Sequence, residues 1–177
     1  MLKAKAVINQ NISEKVIIDE ITIKDPLPEQ VVVKIISSGI CGSQLLSLQH
    51  PKIERPQLLG HEAIGKIVKI GNKVKHLKEG DTVLISWLPY NPTKDTEYIQ
   101  WCDVGWKNKI IKSIIFTWSD YSILHNQFVS KIPDNLDKYN GSIIGCAVAT
   151  GAGSVNNIGN LNKNHSVAVF GAGGLGM

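Results

Sequence analysis

Short runs rich in Val and Ile, broken repeatedly by Gly- and Pro-bearing turns, restrict what this chain can fold into more than any other feature. Residues 3–9, 16–23 and 31–37 read as strands, the last two separated by Asp25-Pro26-Leu27-Pro28-Glu29. Residues 62–70 alternate Ile64, Lys66 and Val68 against Gly65, Ile67 and Lys69 with the period of a strand, and Gly71-Asn72 ends them. The turn Lys78-Glu79-Gly80-Asp81 leads into a strand over 82–86, and further strands fit 121–124 and 127–132. One short helix fits 42–49. Strands this short and this frequent predict a barrel or sandwich, so the fold class is mainly β with short helices.

Composition limits the size and the partners. With 177 residues, 43% hydrophobic and 19% charged, the chain is apolar enough for a packed core, and its length suits one full domain and the start of another. The net charge is +4, and the lysines stand singly among apolar residues, without the basic run that nucleic acid or a membrane surface requires. Neither is expected as a partner. Met1-Leu2-Lys3-Ala4-Lys5 runs directly into a strand pattern without a signal-like apolar stretch, and no run is long enough to span a bilayer. Three widely spaced cysteines, Cys41, Cys102 and Cys146, argue against a disulfide framework and for a reducing, cytoplasmic location.

Two segments break the β pattern. Residues 87–118 hold all four tryptophans with Tyr90, Tyr98 and Cys102, and read as an inserted lobe, a long loop pinned by its own aromatic cluster. Trp101 and Trp106, flanking the turn-like Cys102-Asp103-Val104-Gly105, are its expected exposed members. Beyond Pro133, residues 135–144 and 147–158 look helical, and Ser166-Val167-Ala168-Val169-Phe170 reads as a buried strand. That strand leads into Gly171-Ala172-Gly173-Gly174-Leu175-Gly176, a glycine turn of the phosphate-binding type.

Chemistry concentrates on few residues. Cys41-Gly42-Ser43, then His61-Glu62, then Gly145-Cys146 supply two thiols and one imidazole, a soft donor set suited to zinc. Three protein ligands with a fourth position open is the pattern of catalytic zinc, whereas Cys102 folding back as a fourth ligand would make a closed, non-catalytic Cys₃His module. Taken singly, a cysteine is more often a small buried hydrophobe and a histidine a satisfied polar residue. Ser43 also suits the N-cap of a helix over 44–49, and Glu62 a buried, hydrogen-bonded structural acid. His50, His76, His125 and His165 have no ligand-like neighbours and read as surface residues.

In order, these motifs resemble the N-terminal part of the zinc-dependent medium-chain alcohol dehydrogenases. The match runs through Cys41-Gly42-Ser43, Gly60-His61-Glu62 with Gly65, Gly71 and Val74, Gly80-Asp81-Thr82-Val83, Gly145-Cys146 with Thr150-Gly151, and Gly171-x-Gly173-x-x-Gly176. The resemblance implies a GroES-like β-barrel catalytic domain over 1–146 with the inserted lobe 87–118, and a linker helix plus the truncated first strand and turn of a Rossmann coenzyme domain over 147–177. It implies one catalytic zinc on Cys41, His61 and Cys146, with Ser43 relaying the alcohol proton and Glu62 beside the metal. Gly171, Gly173, Gly174 and Gly176 would meet NAD or NADP. The partners it implies are a small alcohol or aldehyde and further copies of the chain in a homo-oligomer, the full-length protein being active and this portion alone inactive. The family's usual Asp after the first motif is Gln44 here, Leu46 stands where some members carry a relay histidine, and the four-cysteine lobe of a structural zinc is missing.

Overall fold

In the computed structural model, which describes residues 1–12, 15–90, 101–159 and 161–177, the β pattern resolves into two five-stranded antiparallel sheets. The first orders β4 (Gln57–Leu58), β1 (Leu2–Asn9), β2 (Ile17–Ile23), β7 (Cys102–Trp106) and β8 (Lys109–Ser113) side by side. The second orders β10 (Val129–Lys131), β6 (Thr82–Ile85), β5 (Ala63–Ile70), β3 (Gln30–Ser38) and β9 (Tyr121–His125). Alternation sets the faces: in β1, Ala4, Ala6 and Ile8 are buried while Lys3 and Lys5 face water. The continuous Val31-Val32-Val33 of β3 is buried on both faces. Val32 joins the core with Ile8, Ile21, Ile23 and Phe116, whereas Val31 and Val33 join a second core with Ile67, Val83 and Leu124. A strand without polar alternation is thus one that divides two cores.

Register shifts in the β3–β5 ladder, between Val32 and Val33 and again between Ile35 and Ser37, bend the end of β3 where the chain leaves for α1 (Gly42–Gln49). Arg55, the only arginine of the chain, ties down the far end of that helix by donating to the carbonyls of Ser47, Leu48 and His50. The sequence reading overlooked it, although a lone arginine among lysines, just past a helix end, was a signal.

Several expectations need correction. The second half of 87–118 is not a separate lobe: β7 and β8 form a hairpin that pairs with β2 through Thr22–Gly105 and Ile23–Val104, and Cys102-Asp103-Val104-Gly105 is strand, not turn. Val104, Trp106 and Ile111 enter the first core instead of a local cluster, and among the described residues the ring pair that a tryptophan makes is Trp87 with His61. Trp101 is 54% exposed as expected, but Trp106 is only 5% exposed, its indole N–H donating to Asp19. Tyr98 lies outside the described residues. His125 is buried rather than superficial: it ends β9, the edge strand paired with β3, and its Nε2 lies 3.5 Å from Glu29. Helical structure after Pro133 starts at Asn140 and continues to Ile158 through 3-10, π and α turns, with α2 at Ala149–Gly153, while 135–139 is turn and loop. The buried strand over 166–170 does not form: Val167, Val169 and Phe170 are 56%, 63% and 98% exposed. An apolar strand is stable only beside another, and none of the described strands borders it.

Candidate metal centre

Three chain segments converge at the end of the second sheet. Cys41 is the N-cap of α1 with extended backbone (φ −91°, ψ 142°), the residue at which the chain turns from β3 into the helix. His61 and Glu62 precede β5, and Gly60 delivers them. Its φ is +90°, and a Cβ there would strike the Thr117 hydroxyl and the Trp118 backbone, so neither the turn nor the space admits a side chain. Cys146 lies in the π turn Ile144–Val148. Gly145 allows that turn to sit on the end of β6, since a Cβ would collide with the Ile85 carbonyl, and the Ser86 hydroxyl donates to the Gly145 carbonyl at 2.7 Å.

One donor atom from each of Cys41, His61, Glu62 and Cys146 lies within 4.8 Å of the others. The two sulfurs are 3.8 Å apart, and His61 Nε2 is 3.3 Å from Cys146 Sγ. His61 and Glu62 are buried and the thiols half-buried, so the cluster opens on one side. Burial opposes ionisation of Cys41, yet the Ser43 hydroxyl and N–H and the Cys146 thiol outweigh it, leaving the Cys41 pKa below its ordinary value. Burial, then the hydrogen bond and charge of Cys41, push Cys146 up. Burial lowers His61 by disfavouring its charged form, and raises Glu62 against the N–H groups of Ala147 and Cys146. Two thiols, an imidazole and a carboxylate at this spacing fit a tetrahedral zinc ion, whose charge would favour both thiolates.

Ser43 is exposed and is not the N-cap; its hydroxyl donates to Cys41 Sγ at 3.3 Å from the first turn of α1. Leu46 is exposed as well. Gln44, noted in the sequence only as a neutral replacement, contacts His61 Nδ1 at 2.9 Å and accepts from the Gly60 N–H at 2.7 Å. Cys102 is outside the cluster. Its thiol lies in the first core, accepts from the Gln30 amide at 3.3 Å, and is pushed up to about 12 by burial and then by Asp103, which removes the closed Cys₃His arrangement.

A cleft of about 870 Å³ adjoins the cluster, lined among others by His61, Gln44, Trp87, Trp101 and Ile110. The Trp87 ring stands 5.9 Å from that of His61, a placement the sequence did not signal. The glycine turn also lies nearby. Gly171 has φ +101°, the N–H groups of Gly176 and Met177 return to the Gly173 carbonyl, and Gly176 has no room for a Cβ against Gly171. Gly151 of α2 admits the Leu175 carbonyl, and Gly174 faces the methyl of Ala147, the residue after Cys146.

A family profile described as the Alcohol dehydrogenase GroES-like domain matches residues 27–134, and sorbitol dehydrogenase of Homo sapiens is 36% identical over 88% of this chain. The chain belongs to the alcohol dehydrogenase GroES-like family. Alcohol dehydrogenase-like 7 of Arabidopsis thaliana is 26% identical across 99% of the chain and 52% of its own length. The structure of an alcohol dehydrogenase zinc-binding domain protein from Burkholderia ambifaria superposes with a TM-score of 0.88 at 21% identity, over 99% of this chain and 54% of that one, so the family fold is shared. The chain spans about half the length of the curated relatives it matches.

Proposed function

We propose that these residues form the metal-binding part of a zinc-dependent, NAD- or NADP-linked dehydrogenase that interconverts a small alcohol and its aldehyde or ketone. The observation that carries this reading is the convergence of Cys41, His61, Cys146 and Glu62 at one open cluster beside a cleft. Zinc held by Cys41, His61 and Cys146 would supply Lewis-acid polarisation of the substrate oxygen, and a nicotinamide coenzyme would take or give the hydride. The chain's own groups do the rest. Trp87, Trp101 and Ile110 offer apolar surface along the cleft that suits the hydrocarbon part of a small alcohol. The Ser43 hydroxyl, exposed and one hydrogen bond from Cys41, holds a proton at Oγ where it can exchange with solvent. Glu62, favoured in its neutral form by burial, is a carboxyl that can approach the metal as ligands exchange. Gly171, Gly173, Gly174 and Gly176 suit the coenzyme pyrophosphate, beside the segment that carries Cys146. Three free thiols suit a reducing, cytoplasmic setting, and the whole protein's activity and homo-oligomeric assembly belong to this proposal.

Equilibrium dialysis against zinc followed by elemental analysis tests it. About one zinc per chain is expected, abolished by His61→Ala and retained by Cys102→Ser. A stoichiometry near zero, or zinc lost with Cys102→Ser and kept with His61→Ala, overturns the reading.

A further inference from the structure

The amide of Gln44 lies between two groups that leave it no choice of orientation. The Gly60 N–H can only donate, so it faces the amide oxygen, at 2.7 Å. The amide nitrogen, itself only a donor, is left facing His61 Nδ1 at 2.9 Å. Nδ1 must therefore offer its lone pair, and the single proton of the neutral ring belongs on Nε2. Nε2 is the nitrogen that looks into the cluster, 3.3 Å from Cys146 Sγ.

We propose that Gln44 is a positioning residue that holds His61 in the Nε2-protonated tautomer while the site is metal-free, so that capture of a divalent cation through Nε2 requires the Gln44 amide to turn over. The network has one direction. Gly60 donates to Gln44, Gln44 to His61, His61 to Cys146 and Cys146 to Cys41, with Ser43 also donating to Cys41. Every proton points toward the Cys41 sulfur, and none of the links leaves a lone pair on Nε2. A carboxylate at position 44 would reverse the first two links. It accepts from Gly60 and from Nδ1–H alike, which frees Nε2 for a metal. With glutamine, turning the amide to accept from Nδ1–H sets its NH₂ against the Gly60 N–H, leaving a half-buried donor without a partner. On capture, the proton leaves Nε2 for solvent and another is taken from solvent at Nδ1, so the ring stays neutral.

The tautomer itself does not depend on the metal reading; the consequence for affinity rests on it. ¹⁵N-histidine NMR of the metal-free chain reads the tautomer directly, and His61 is expected to carry its proton on Nε2. Gln44→Glu, which keeps the length of the side chain, should move that proton to Nδ1 and tighten zinc binding by about 10–100-fold in competition with a chromophoric chelator. Gln44→Asp serves as a second carboxylate should the longer one disturb folding, with circular dichroism confirming the native sheet content of each. A proton on Nδ1 in the unsubstituted chain overturns the proposal, as does unchanged or weaker zinc affinity in carboxylate variants that fold. If no form binds zinc, the metal reading fails, and the NMR result alone decides the role of Gln44.

Discussion

Asp81 closes the turn before β6 and is nearly enclosed. One carboxylate oxygen accepts from the Lys78 N–H at 3.0 Å and the other meets Lys131 Nζ at 2.8 Å. The Lys131 hydrogen bond is the largest influence on its carboxyl, and although burial opposes it, the pKa lies below the ordinary value. Because the folded pKa is depressed, the stabilisation is fully present above the unfolded value of about 3.9 and is lost as pH falls through the folded one. Asp81→Asn should therefore cost about 1–2 kcal/mol at neutral pH, and denaturant titrations should show the gap between variant and parent closing below about pH 4. A gap that stays constant down to pH 2 would mean that the charge contributes nothing.

Among the elements, the hairpin β7–β8 and the turn that bears Cys146 carry most of the fold's particularity. The hairpin turns at Lys107-Asn108, where Lys107 takes φ +51° and lays its ammonium over the Trp106 ring at 4.6 Å. Its buried face, Cys102, Val104, Trp106 and Ile111, is continuous with that of β1 and β2. Amide hydrogen exchange across the β7–β8 ladder should accordingly match that of the β1–β2 ladder; exchange faster by orders of magnitude would mark the hairpin as a separately opening unit. The Cys146 turn depends on Gly145. Gly145→Ala should destabilise the chain by about 1–3 kcal/mol in thermal or chemical unfolding and reduce zinc loading with it, since the segment must lift off the end of β6. An alanine variant with parental stability and parental zinc content would show that the turn accommodates the methyl group.

At the scale of the molecule, the chain is an ordered pair of sheets followed by an exposed tract. From Leu161 onward nearly every residue is exposed, Val167, Val169 and Phe170 included, and no ladder includes them. Brief trypsin treatment should therefore cut first after Lys163 and leave a core that retains its β circular dichroism, whereas first cleavage within the sheets would contradict this division. No helix among the described residues is long and apolar enough to cross a membrane.

The strand spacing, the turn residues and the donor residues with their glycine neighbours were legible because each is a local pattern: alternation specifies a half-buried strand, and Gly60-His61-Glu62 needs no partner to be read. Position 44 was legible only as a substitution, since the meaning of a glutamine depends on which atoms face it, and Gly60 and His61 face it only after β5 has paired with β3. The misread tryptophans have the same cause. Aromatic residues bury wherever area is available, and for Trp106 the first sheet had more to offer than its neighbours in sequence. The apolar run 166–170 shows the reverse case: local pattern alone named a strand, but a strand exists only through its pairing, and no described strand lies beside it. What the sequence determined by itself was therefore the set of locally encoded strands, turns and donor types. Tertiary structure decided which donors meet, which way their protons point, and which apolar runs find a sheet to join, because those properties belong to pairs of segments far apart in the chain.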